Sequence, residues 1–227
     1  MKEPYIYLLV VGGIIALPLL AQLYINFTYK KYLKVESKSN LSGFETARKI
    51  LDSNNLNDIH IVTTSGTLTD HYDPSREVIR LSNDIFDKNT ISSISVAAHE
   101  CGHALQKKDG YLPMKIRTLL VPIVNFSSKI AYVILVIGFL LEFTGLIRIA
   151  IIFMSAGVLF QLVTLPVEIN ASRRAKKELV RLKLIHKDEE DKVKNVLTAA
   201  ALTYVAGLLS SLLELLRLVL IINNRRD

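Results

Sequence analysis

The sequence predicts an α+β membrane protein: mostly α-helical, with three to four transmembrane helices and one small polar domain holding a short β-sheet. Three observations carry this. Half of the 227 residues are apolar and 22% are charged, proportions that coexist only if the two kinds are segregated along the chain. Four long stretches are nearly free of charge, each enough to cross about 30 Å of hydrocarbon at about 1.5 Å per residue. The polar segment between the first two, residues 26–117, carries both strand and helix signals. Such a composition excludes a disordered chain and argues against a plain soluble globule. The single cysteine, Cys101, excludes a disulfide scaffold.

The first apolar run is Tyr5 to Ile25, with no charge. Lys2 beside Glu3 makes its leading edge nearly neutral, and no A-x-A site ends it. It therefore reads as an uncleaved anchor and not as a signal peptide. Within the polar segment, Ser42 and Glu45 have capping-box spacing and open a helix. Asp58–Ser65 and Glu77–Ser82 read as short strands, and Thr69–Pro74 between them reads as a turn-rich loop. A helix follows from about Ile91 to Lys108, with Thr90 as N-cap and Asp109-Gly110 as its stop. The second run, Thr118–Leu141, and the third, Leu146–Leu165, are separated only by Glu142–Gly145 and predict a tight helical hairpin. Lys129 falls near the middle of the second run, at an insertion cost of about 2.5–3.5 kcal/mol. The fourth run, Val196–Ile222, carries Glu214 and Arg217, three apart and able to neutralise each other.

Charge placement orients these runs. Residues 26–117 and 167–195 hold 22 of the 28 Lys and Arg. The positive-inside rule puts both segments in the cytoplasm and the amino terminus outside. A fourth crossing would leave Arg225 and Arg226 outside, so either the last run does not fully cross or a five-residue tail is too weak to matter, and three crossings are better supported than four.

On the predicted helix sits His99-Glu100-Cys101-Gly102-His103, the HExxH pattern. Residues four apart share a helix face, so both imidazoles can grip one ion, and Glu100 at the edge of that face can reach a zinc-bound water without ligating the metal. That is the placement of a general base. Cys101 points away, and Gly102 would let another element approach closely. A surface helix with two spare histidines is the plainer reading, but a bounded helix preceded by a strand favours the metal. That strand, Glu77–Ser82, is a candidate edge for an extended peptide.

A catalytic zinc takes three protein ligands. His60, His71, His186 and the acids remain for the third place. The hairpin returns the chain to the side of His99 and His103, and the first acid met on return is Glu168, two residues past Pro166. From spacing alone, a ligand and an acid stabilised near a helix start are equally good readings of Glu168.

The segments V-A-A-H-E-C-G-H-A-L-Q, L-T-D-H-Y-D-P, L-P-V-E-I-N-A-S-R-R-A and A-A-L-T-Y-V-A-G-L-L together resemble the bacterial neutral zinc metallopeptidases of the YugP-like type, which are similar to the HtpX-like membrane metalloproteases. The resemblance spans almost the whole chain. It implies one catalytic Zn²⁺ held, gluzincin-like, by His99, His103 and Glu168. It also implies an aspartate where this chain has Asn170, which would orient a zinc histidine more weakly. Ser172, one turn beyond Glu168, is a candidate support for that ligand. In the loop Asp70-His71-Tyr72-Asp73, His71 or Tyr72 is a candidate donor to the tetrahedral intermediate, against an Asx-type turn before Pro74. His60 and His186 read as ordinary histidines.

The predicted organisation is an N-terminal transmembrane anchor (1–25), a cytoplasmic zincin-like subdomain with the HExxH helix (26–117), a transmembrane hairpin (118–166), a cytoplasmic helix carrying the third zinc ligand (167–195), and a last transmembrane helix with a short tail (196–227). The function expected is a membrane-bound zinc metalloendopeptidase of the cell membrane, hydrolysing peptide bonds on the cytoplasmic side with Glu100 as general base. Its partners would be the lipid bilayer and a peptide or protein substrate, membrane proteins included. An intramembrane, site-2-like zinc protease is the alternative, opposed by Lys107 and Lys108 beside the motif. A non-catalytic scaffold braced by zinc is another. Nucleic acid is excluded as a partner, since the basic residues flank apolar runs and no recognition motif is present. The sequence leaves the oligomeric state undetermined.

Overall fold

Each apolar run maps onto a helix longer than the run itself. The computed structural model describes residues 3–224, in the order α1 (Glu3–Tyr32), α2 (Gly43–Asp52), β1 (His60–Thr64), β2 (His71–Asp73), β3 (Val78–Ser82), α3 (Asn83–Asp87), α4 (Ile91–Lys108), α5 (Leu112–Leu140), α6 (Thr144–Arg181), a 3₁₀ turn at Lys187–Glu189, and α7 (Glu190–Asn224). Lys2, Arg225 and Arg226 lie outside the described residues. The chain divides into two compact units, one of Met1–Gln22, Pro113–Pro166 and Thr203–Asp227, the other of Leu23–Leu112 and Val167–Leu202.

Among the described residues, four helical stretches are long and apolar enough to cross a membrane: Tyr5–Tyr32, Leu112–Leu140, Thr144–Arg181 and Lys187–Asn223. Only 6% to 17% of their most apolar windows is buried within the protein. Leu8, Leu9, Leu119, Leu140 and Ile152 are accordingly exposed, a surface suited to lipid. In the first unit, Leu135, Ile147, Ala150, Leu218 and Ile222 form a small core. The α5–α6 connection is as tight as the sequence predicts: Glu142 takes a left-handed φ of 52°, while the Leu141 and Phe143 amides donate to Ile137 and Gly138 at 2.9 and 3.0 Å. Arg217 pairs with Glu214 at 2.6 Å, and Lys129 is exposed.

The second unit holds the polar domain. Its sheet has the order β1-β3-β2. β1 and β3 run parallel, His60 opposite Val78, and β2 runs antiparallel to β3, Tyr72 opposite Ile79. Two expectations change here. Glu77–Ser82 is not an edge, because β3 pairs on both sides; its buried Val78, Ile79 and Leu81 suit a central strand. The edge nearer the motif is β2, which lies inside the stretch that reads as a loop. Asp73 still makes the Asx turn, accepting from the Ser75 and Arg76 amides at 2.9 and 3.2 Å.

Capping follows the sequence. In α2, the Glu45 amide donates to Ser42 Oγ at 3.1 Å and the Ser42 amide to Glu45 Oε2 at 2.8 Å. Thr90 caps α4 through the Ser93 amide at 3.2 Å. The start of α4 is also tied to the last turn of α1, by Ser92 Oγ to Tyr29 O at 2.9 Å, and to the segment after it, by Ile91 N–H to Val35 O at 2.9 Å. Ile50, Leu51, Ile79, Leu81, Ile94, Ala98 and Leu179 fill the core around α4.

The helix α6 corrects the reading of Glu168. It runs unbroken through Pro166 to Arg181, although proline removes a donor and crowds the carbonyl four residues back. Glu168 is therefore deep inside a helix, and no helix start is present to explain an acid there.

Candidate metal centre

Four residues apart on α4, His99 and His103 present their rings at 4.8 Å, edge to face. Glu168 comes from α6. What brings the helices together is Gly102: a Cβ there would collide with the Ala171 carbonyl of α6, so only glycine allows this approach. Glu168 Oε2 lies 3.3 Å from His99 Nε2 and 3.3 Å from His103 Nε2. His103 and Glu168 are buried and His99 is half-buried. These three donors lie within 4.8 Å of one another and could hold a metal ion.

The tautomer of His103 sharpens the case. Gln106, fully buried, donates its Nε2 to Val167 O at 2.7 Å and to Asn170 Oδ1 at 3.0 Å. Its Oε1 therefore faces His103 Nδ1, at 3.0 Å, and as an acceptor it requires Nδ1 to carry the proton. Nε2 is left with a lone pair aimed at the Glu168 carboxylate. The Nδ1 of His99 is engaged by Ser172 Oγ at 3.2 Å, again leaving Nε2 for the centre. Three donors converging in a buried place suit a cation between them. Zinc bonds of about 2.0–2.1 Å in tetrahedral array put neighbouring donors about 3.3 Å apart, the separation of Glu168 Oε2 from each histidine Nε2, and two imidazoles with a carboxylate are a donor set that zinc takes.

Beside this cluster, Glu100 is buried and its Oε2 accepts the Tyr72 main-chain N–H at 2.9 Å. Its carboxyl is pushed up to about 7, above all by burial; the charges of Glu168 and Asp70 act in the same direction, and His99 and the Tyr72 amide oppose them. Asp70 accepts from the Ser82 amide at 2.7 Å and from Ser82 Oγ at 3.1 Å, and burial raises its pKa.

The structure thus brings His99, His103 and Glu168 together with Glu100 next to them. Tyr72 meets Glu100 through its backbone, its side chain lying in the core. His71 is exposed, its Nδ1 2.8 Å from Thr69 O. Ser172 supports His99 and not Glu168. Asn170 reaches His103 through Gln106 and not directly, and also accepts from Arg174 Nε at 2.8 Å. His60 and His186 are exposed, and Cys101 is buried with Sγ 3.6 Å from Ala47 O. Gln106 carries no metal-binding signature of its own; its only clue is its place one helical turn after His103.

The sequence profile of the family described as "Putative neutral zinc metallopeptidase" matches residues 6–223. The chain is 51% identical over 207 residues to the "Putative membrane protease YugP" of Bacillus subtilis (strain 168), covering 91% of this chain and 92% of that one. No solved structure matches it. With nearly its full length matched by one profile and half of the aligned residues shared with that relative, the chain belongs to the family described as "Putative neutral zinc metallopeptidase".

Proposed function

We propose that this protein is a membrane-bound zinc metalloendopeptidase whose active site faces the cytoplasm. The observation that carries the reading is the convergence of His99 Nε2, His103 Nε2 and Glu168 Oε2 beside a buried carboxyl shifted toward neutrality. Zinc held by these residues supplies Lewis acidity, lowering the pKa of water toward about 7 and polarising a scissile carbonyl. Glu100 acts as general base and then general acid. With Oε2 held by the Tyr72 amide, Oε1 takes the proton from the attacking water and delivers it to the leaving amine. His71, exposed on the edge strand, is the assigned donor to the developing oxyanion. Peptides or proteins, membrane proteins included, are the substrate class; nucleic acid is not a partner. The concentration of Lys and Arg in residues 26–117 and 167–195 supports the cytoplasmic side.

Glu100→Gln tests the assignment. Bound zinc should remain at full stoichiometry while hydrolysis of a peptide library falls by at least about a thousandfold, the scale on which a proton-transfer group acts. Activity retained in that variant would remove Glu100 from the chemistry. A wild-type protein that binds zinc but cleaves nothing would favour a structural ion.

A further inference from the structure

Outside the three donors, the least expected arrangement is the chain of side chains behind His103. Gln106 Oε1 faces His103 Nδ1 at 3.0 Å, and Gln106 Nε2 donates to Asn170 Oδ1 at 3.0 Å and to Val167 O at 2.7 Å. Asn170 Oδ1 also accepts from Arg174 Nε at 2.8 Å. The guanidinium of Arg174 is held in turn by Asp109 and by the Tyr111 ring, 5.9 Å from its centroid.

We propose that Gln106 is a positioning residue that locks His103 in the Nδ1–H tautomer, and that Asn170 and Arg174 keep the Gln106 amide from turning over. The proposal rests on the reading of His103 as a metal ligand. A glutamine amide is symmetric in shape and can present either end to an imidazole. Presented nitrogen-first, it would donate to Nδ1, move the ring proton to Nε2 and abolish the lone pair aimed at Glu168. Two acceptors, the Val167 carbonyl and Asn170 Oδ1, prevent that rotation, because a turned amide would place its oxygen against both. Arg174 prevents the same error one step out, since its N–H obliges Asn170 to present oxygen and not nitrogen. Polarity therefore passes from a surface ion pair through two amides to one ring nitrogen, and each amide has a single workable orientation. Partners of this kind behind a ligating histidine are worth roughly 10–100-fold in metal affinity.

Two readouts on the full chain in detergent test this: the tautomer of His103 in ¹⁵N-histidine-labelled, metal-free protein, and zinc affinity by competition with a chelator. Gln106→Met should weaken zinc about 10–100-fold and move His103 away from Nδ1–H. Asn170→Leu should do both to a smaller degree. Asn170→Asp keeps an acceptor for Gln106 Nε2 and should preserve the tautomer. An unchanged tautomer in both Gln106→Met and Asn170→Leu overturns the proposal, and Asn170→Leu alone decides if Gln106→Met does not fold. The tautomer is read without metal, so a chain that bound no zinc would refute the metal site while leaving the relay to be judged separately.

Discussion

Glu100 illustrates how much one carboxyl can carry. Its burial lifts the folded pKa from the usual carboxylate value of 4.5 to about 7. The sign of the consequence follows from proton counting: between those values the folded chain binds more protons than the unfolded chain, so stability falls as pH rises through that window. In metal-free protein, thermal unfolding should show a loss on the order of 1–3 kcal/mol from pH 5 to pH 8. Glu100→Gln should flatten that dependence, and an equally steep profile in the variant would place the titration elsewhere. The sequence announces Glu100, His99 and His103 through their spacing, because ligation by one helix face is a local property. Topology alone makes Glu168 an even choice, since its approach depends on a different helix, and the family resemblance decides it. Gln106 and the Tyr72 amide are not legible at all, as their roles come from what they touch.

Among the elements, those with local signals read correctly. The Ser42–Glu45 box, the Thr90 cap and the limits of α4 at Ile91 and Lys108 all stand in the structure, because caps satisfy helix ends with nearby side chains. β2 was hidden by its brevity: three residues, His71–Asp73, have too short an alternation to distinguish from a turn. It is defined by pairing with β3 and by the Tyr72 amide's bond to Glu100. The continuity of α6 was hidden by Pro166, a helix breaker by propensity that the surrounding helix absorbs. The contact of α4 with α6 at Gly102 makes the sharpest prediction at this scale. Gly102→Ala should force the helices apart, cost about 1–3 kcal/mol and sharply reduce zinc content, as followed by thermal unfolding and metal analysis. A variant with full zinc and an unchanged Tm would show that the approach does not govern the site.

At the scale of the whole molecule, family membership and, among the described residues, four helices long and apolar enough to cross a membrane make this an integral membrane protein, and the proposed cytoplasmic side is open to labelling. In a Cys101→Ser background, single cysteines at Lys34 and Lys187 should resist a membrane-impermeant maleimide in intact cells, and one at Phe143 should react. The opposite pattern would put the site on the outer side. The apolar runs were legible throughout because length and hydropathy are additive along the chain, whereas the division into two units mixes residues from distant parts of it. Anomalous scattering at the zinc edge from crystals of the full chain tests the central claim most directly. One peak is predicted, bonded to His99 Nε2, His103 Nε2 and Glu168, and reduced in Glu168→Ala. No peak, or a peak away from those three atoms, would contradict it.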